Sequence, residues 1–194
     1  MKHIISFTVI FLLFSCKEHK STKDYDFKEI GWTVSIPSDF TILTSTEAAN
    51  VCKAAIQAVK QAYDSTYYYD SAKTLLSFKK GSANYFSAGI TPFKEVQDGD
   101  WLQSTTNKKE LILNTFKSQN PEAKIDTSSS IRLIDGLTFE VFKVKMSFPD
   151  TLVITSNIYS RLVHGYNFTM SLAYVNEDVG RQLNSICISS KFAK

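Results

Sequence analysis

The chain has 194 residues, 43% of them hydrophobic and 21% charged, with 22 basic against 19 acidic side chains. That is the profile of one ordinary folded domain, and it excludes a disordered tail, a collagen and a coiled coil. A net charge of +3 spread without a basic block gives no electrostatic footprint for nucleic acid, so no nucleic-acid partner is expected.

The amino-terminal end reads as an address. Lys2 and His3 precede an apolar run from Ile4 to Phe14, broken only by Ser6 and Thr8, and Ser15-Cys16 then gives way to the charged stretch Lys17-Glu18-His19-Lys20. A spanning helix needs about 20 apolar residues, whereas a basic start, a short greasy segment and a small residue at the cut describe a secretory signal. Residues 1–15 are therefore expected to be a signal peptide. The string Leu13-Phe14-Ser15-Cys16 resembles a bacterial lipobox, which implies that Cys16 becomes the acylated first residue of the exported protein. A cysteine suits that position because its sulfur can form a thioether with a diacylglycerol while its amine takes a further chain, and two or more chains anchor stably. By the same resemblance, Lys17 in place of Asp implies the outer membrane. Residues 16–26 are polar, carry both charge signs and hold only Tyr25 as an apolar anchor, so they read as the lipidated cysteine and a flexible tether. Residues 27–194 are expected to form a single α+β domain.

Within that domain, Trp32, Val34 and Ile36 alternate with Thr33 and Ser35 and end at Pro37, the period of a half-buried strand. Thr44-Ser45-Thr46-Glu47 has capping-box spacing, and Ala48, Cys52, Ala55, Ile56, Val59 and Tyr63 recur at helical intervals, predicting a helix over about 46–64. Leu76 and Phe78, then Phe86, Ala88 and Ile90, predict a hairpin turning through Lys79-Lys80-Gly81-Ser82 and ending at Pro92. Asp98-Gly99-Asp100 supplies a break and a cap for a second helix carrying Ile112, Leu113 and Phe116, with Pro121 just past its end. Four strands follow, at about 125–134, 137–148, 151–163 and 166–175. Their turns are marked by Asp135-Gly136, Pro149-Asp150 and His164-Gly165. Asn176 caps a last helix with Val179, Leu183 and Ile186.

Alternation along the last three strands assigns one face to the core: Phe142, Val144, Met146 and Phe148, then Leu152, Ile154 and Ile158, then Tyr166, Phe168, Met170, Leu172 and Tyr174. The other parity is polar, with Lys143, Lys145, Thr155, Asn157, Tyr159, Arg161, Asn167, Thr169 and Ser171. Burying that set without partners would be costly, so this half of the sheet is expected to be helix-covered on one side only.

The segment Phe27-Lys28-Glu29-Ile30-Gly31-Trp32-Thr33-Val34-Ser35-Ile36-Pro37-Ser38-Asp39-Phe40 resembles the opening of PsbP-like and DcrB-like domains. The mid-chain helix, the Ile134-Asp135-Gly136 turn, the meander and the final Ser190-Lys191-Phe192 are similar to that family across nearly the whole exported chain. The resemblance implies an antiparallel sheet of about six or seven strands packed with three helices, covered on both sides. It also implies attachment to membrane-associated assemblies without enzymatic activity, and it assigns no functional residue.

Residues that could carry chemistry are few. His164 is the only histidine in residues 27–194 and sits in a predicted turn. Neither a His-based metal site nor a two-histidine mechanism can be assembled from it, and no nucleophile elbow or glycine-rich phosphate loop accompanies it. No catalytic residue, cofactor or metal ligand is therefore assigned. Cys52 and Cys187 read as small hydrophobes on packed helices, with a disulfide as the alternative after export. Two contact surfaces are candidates: the Tyr67-Tyr68-Tyr69 run, and a face formed by Lys143, Lys145, Tyr159 and Arg161. The sequence thus predicts a lipid-anchored envelope protein with a non-enzymatic protein-binding or structural role. The competing expectation is a carrier of a small lipid or sugar held between sheet and helices, for which a cavity decides.

Overall fold

The computed structural model describes residues 21–63 and 72–193. The leader, Cys16 and the Tyr67-Tyr68-Tyr69 run lie outside the described residues.

Strands β1 (Thr22–Phe27), β2 (Trp32–Pro37) and β10 (Lys191–Phe192) form a small antiparallel sheet in the order β1-β2-β10. The main sheet is built from β3 (Thr41–Ile42), β4 (Lys73–Lys79), β5 (Tyr85–Pro92), β6 (Lys124–Ile134), β7 (Leu137–Ser147), β8 (Val153–Val163) and β9 (Tyr166–Tyr174). These seven strands run antiparallel in the order β3-β4-β5-β9-β8-β7-β6. Helices α1 (Ser45–Tyr63), the single turn α2 (Glu95–Asp98), α3 (Trp101–Gln119) and α4 (Glu177–Ser189) complete the described chain. The α+β class is as expected. The strand bounds of the carboxy-terminal meander agree with the predicted ones to within two residues.

Local chemistry explains the helix starts. Glu47 Oε2 accepts from the Thr44 amide at 2.8 Å while Thr44 Oγ1 accepts from the Glu47 amide at 3.3 Å, a reciprocal cap worth about 1 kcal/mol. The Thr44 amide, together with the Thr44 hydroxyl, which donates to the same Oε2 at 2.8 Å, holds the Glu47 carboxyl below its ordinary pKa. Asp100 caps α3 through the Gln103 amide, and Asn176 caps α4 through the amides of Asp178 and Val179.

Two expectations need correcting. Residues 22–26, read as part of a flexible tether, are instead strand β1, so the ordered domain includes Thr22. Tyr25 and Phe27 pack on the core, and Asp24 and Asp26 accept across the ladder from the hydroxyls of Ser35 and Thr33. Outward charges at every second position disguise the strand as a polar linker.

The second correction concerns the faces. His164 and Gly165 both have positive φ (48° and 79°), a type I′ turn that pairs Val163 with Tyr166. Odd residues of β8 therefore share a face with even residues of β9. Across the longer β7–β8 turn, Phe142 meets Ile158 and Met146 meets Ile154. Phe142, Val144 and Met146 accordingly form one core with Ile112, Phe116, Ile154 and Ile158, under α3. Phe168, Met170, Leu172 and Tyr174 point the opposite way, into a larger core with Trp32, Phe78, Phe86 and Leu183, under α4 and the small sheet. Both sides of the sheet are covered, contrary to the one-sided expectation, because each face draws its apolar residues from different strands. The small sheet docks by aromatic packing, with Trp32 at 5.1 Å and Phe192 at 6.0 Å from the Phe168 ring. A side chain as fully buried as Phe168 is worth about 1.5–3 kcal/mol.

Candidate functional site

Lys143, Lys145, Tyr159 and Arg161 do share the α4 face of β7 and β8, but they do not form one contact surface. Lys143 and Lys145 are exposed, while Arg161 is half-buried and donates to the Thr138 carbonyl at 2.6 Å. Tyr159 is only 5% exposed. Its hydroxyl donates to Asn184 Oδ1 on α4 at 2.7 Å, and burial pushes its pKa up to about 12. Tyr159 thus belongs to the core, and the expected four-residue face is corrected to an exposed lysine pair beside a hydrogen-bonded arginine.

The remaining candidates are also placed. His164 is exposed at the tip of the β8–β9 hairpin. Cys187 is a free thiol, fully buried in α4, and burial pushes its pKa up. The disulfide alternative therefore does not hold for Cys187; the Cys52 side chain lies outside those described. No cluster of three or more His, Cys, Asp or Glu suited to a metal ion occurs among the described residues.

A site that the sequence did not single out lies on the opposite side of the sheet. On β5 and β9, the residues facing α3 are small or polar in three successive cross-strand pairs, Ser87 with Ser171, Gly89 with Thr169 and Thr91 with Asn167, and only the terminal pair, Tyr85 with Ala173, brings a large side chain. Ile158 and Ser160 of β8 continue the floor, paired with Ser171 and Thr169. Next to them stand Phe142 and Glu140 of β7. Where Phe142 and Ile158 fill the space beneath α3, the Ser/Gly/Thr carpet leaves it open, and a cleft of about 940 Å³ results. Gly89 has a backbone reason to be there. A Cβ at that position would stand 3.0 Å from the Lys73 carbonyl oxygen, beside the β4 register shift between Thr74 and Leu76.

The wall of the cleft is α3, which contributes Ser104, Thr105, Lys108, Lys109, Leu111 and Ile112, and its mouth is rimmed by Asp98-Gly99-Asp100 and by Lys73. Most of the charges there are committed. Asp98 accepts from the Lys94 amide and Asp100 caps α3. Lys109 is paired with Glu140 at 3.1 Å, and Lys73 with Glu29 at 2.5 Å. Trp101 Nε1 donates to Asn167 Oδ1 at 3.1 Å, tying the start of α3 to β9. Glu110 and Lys108 are the exceptions: neither has an ion pair within the described residues, Glu110 being exposed and Lys108 half-buried in the wall. Burial holds the Lys108 ammonium below the ordinary lysine pKa, against an opposing pull from Asp98. The cleft therefore combines a floor of hydroxyl and amide groups beside Phe142 and Ile158 with a wall and rim that carry both charge signs, Lys73, Lys108 and Lys109 with Asp98, Asp100, Glu110 and Glu140.

No protein-family model matches the chain, and no curated protein matches it by sequence. Solved structures do. The solution structure of cyanobacterial PsbP (CyanoP) from Synechocystis sp. PCC 6803 superposes with a TM-score of 0.56 at 12% identity, covering 93% of this chain and 99% of that one. The fold is that of PsbP. That supports the PsbP-like part of the expected resemblance at the level of the fold. LpqN of Mycobacterium tuberculosis, described as involved in cell envelope biogenesis, aligns with a TM-score of 0.43 at 8% identity over 91% of this chain and 92% of its own.

Proposed function

We propose that this chain is an exported, lipid-anchored protein of the cell envelope whose folded domain binds a small saccharide in the cleft beneath α3 without transforming it. The leader and the Cys16 pattern support the membrane anchor, and Lys17 supports the outer membrane. The cleft between α3 and the sheet supports the ligand, and it is the single observation that carries the reading. A floor of Thr91, Ser160, Asn167, Thr169 and Ser171 offers hydroxyl and amide partners. Such groups suit a hydroxylated ligand far better than an acyl chain, whose burial against them would leave them unpaired. Lys108 suits an acidic substituent on that ligand.

A protein partner in the envelope, the other expectation, drew on the face of Lys143, Lys145, Tyr159 and Arg161 or on the Tyr67-Tyr68-Tyr69 run. Tyr159 is buried and Arg161 is engaged with the Thr138 carbonyl, while Lys143 and Lys145 are exposed and the tyrosine run lies outside the described residues.

The test is thermal unfolding and Trp101 fluorescence of the full chain against glucose, N-acetylglucosamine and glucuronate. Glucuronate is expected to raise the melting temperature most, Lys108→Met to remove its advantage over glucose, and Ser171→Leu, which fills the floor, to abolish every response. If no sugar shifts either signal, or if Ser171→Leu responds like the parent, the saccharide reading is wrong.

A further inference from the structure

The main sheet ends on one side in β6, eleven residues long and exposed from Asp126 to Leu133. It pairs with β7 along one edge and, among the described residues, with nothing along the other. Proteins keep such edges from pairing by making them short or by placing charges and prolines along them. The other edges obey that rule. β3 has two residues, and β1 carries Lys23, Asp24 and Asp26 in a strand of six. β6 is less protected: its three charges, Lys124, Asp126 and Arg132, are spread over eleven residues, its centre is Ser128-Ser129-Ser130, it has no proline, and it exposes Ile131 and Leu133 to 67% and 65%.

This strand is complementary to itself when run antiparallel. With Ser129 opposite its own copy, Ser128 meets Ser130, Thr127 meets Ile131, Asp126 meets Arg132 and Ile125 meets Leu133. All of these pairs share parity, so the apolar ones gather on the α3 face and the charged ones on the α4 face. A shift of two residues in one direction sets Lys124 against Arg132, a like-charge pair. A shift in the other sets Asp126 against Ile134 and leaves both charges unmatched. Within the chain Arg132 has no ion-pair partner among the described residues, and Asp126 has only the exposed Lys124 at 3.4 Å, a pair worth little. Cross-strand charge pairs and apolar pairs are the unit of sheet stability, and a two-fold axis makes each count twice.

We propose that β6 pairs with β6 of a second copy of this chain, antiparallel and centred on Ser129, joining two seven-stranded sheets into one continuous sheet. The dimer is isologous, and its axis stands perpendicular to the sheet, so α3 and its counterpart lie on the same side.

The experiment is sedimentation of the full chain in detergent over a range of concentrations, together with oxidative cross-linking. The parent should sediment as a dimer. Asp126→Arg alone sets two arginines against each other on both sides of the axis and should weaken the dimer about tenfold or more. Arg132→Asp alone should do the same. The combined Asp126→Arg/Arg132→Asp variant restores opposite charges and should return to the parent's behaviour, which a folding defect would not allow. Ser129→Cys should form a disulfide with its own copy, whereas Thr127→Cys, four residues from its counterpart, should not exceed the parent's background. A parent that is monomeric throughout, charge variants that dimerise as well as the parent, a double variant that fails to recover, or equal cross-linking at 127 and 129 would each overturn the proposal.

Discussion

Replacing Tyr159 with Phe tests directly whether this residue is core or contact surface. The hydroxyl donates to Asn184 Oδ1 at 2.7 Å, and that oxygen also accepts from Asn157 Nδ2 at 3.1 Å. Removing the donor therefore leaves the acceptor satisfied, and the cost at neutral pH should be about 1 kcal/mol, one net hydrogen bond. The larger effect appears in alkali. Burial raises the folded pKa to about 12, against about 10 in an unfolded chain. Between those values the folded state holds a proton that the unfolded state has lost, so stability is fully present below pH 10 and declines as pH rises toward 12. A two-unit gap corresponds to a loss of up to about 3 kcal/mol. Urea unfolding at pH 8, 10 and 11.5 should therefore show the parent about 1 kcal/mol ahead of Tyr159→Phe at pH 8, with that lead shrinking and then reversing as the phenol is forced to ionise. Comparing the two proteins cancels the lysines and the other tyrosines, including Tyr174, whose pKa burial also raises. A difference that stays constant from pH 8 to 11.5 would refute the buried placement. An exposed tyrosine on a binding face would behave in that way.

Three further substitutions probe the packing on either side of the sheet. Gly180→Ala should destabilise by about 1–3 kcal/mol despite the better helix propensity of alanine. The added Cβ would stand 2.4 Å from Cε2 of Tyr174, a ring only 5% exposed, so a lower melting temperature is the expected readout and an increase would contradict this approach of α4 to β9. Phe142→Ala should cost about 3–5 kcal/mol in chemical denaturation, as should Phe168→Ala on the other face. A loss below about 1 kcal/mol at Phe142 would mean that the α3 core is not packed as described.

Much of this architecture could be read from the chain because it rests on local chemistry. The Thr44-Ser45-Thr46-Glu47 box, the Asp100 and Asn176 caps and the Asp135-Gly136 and His164-Gly165 turns each mark a boundary through two to four consecutive residues, and the elements begin and end where they indicate. β1 was hidden because its six residues carry three charges and no long apolar run. β10 was hidden because two residues show no period; it is held by Asp135, which accepts from the Phe192 amide at 2.9 Å and from Lys191 Nζ at 3.1 Å. That partner lies 57 residues away, too distant for any local pattern to reveal.

The cleft was missed for a different reason, and its signal was present. A two-residue turn always pairs the residue before it with the residue after it, so parity inverts across the hairpin. At His164-Gly165 that rule alone sets Ile158 opposite Ser171 and Ser160 opposite Thr169. Grouping Ile154 and Ile158 with Phe168 and Met170 as one apolar face breaks the rule. Applied correctly, it sends Phe168, Met170 and Leu172 to one side and Asn167, Thr169 and Ser171 to the other, beside Phe142. A helix laid on the second side then meets large side chains over β7 and small polar ones over β9 and β5, and the difference in their volume is the cleft. Asn167, Thr169 and Ser171, read from alternation as a solvated face, are therefore the floor of the candidate site. What no pairing rule supplies is Lys108, whose place in the wall depends on the rotation of α3 about its own axis, set by Phe116 and Ile112 packing on Phe142.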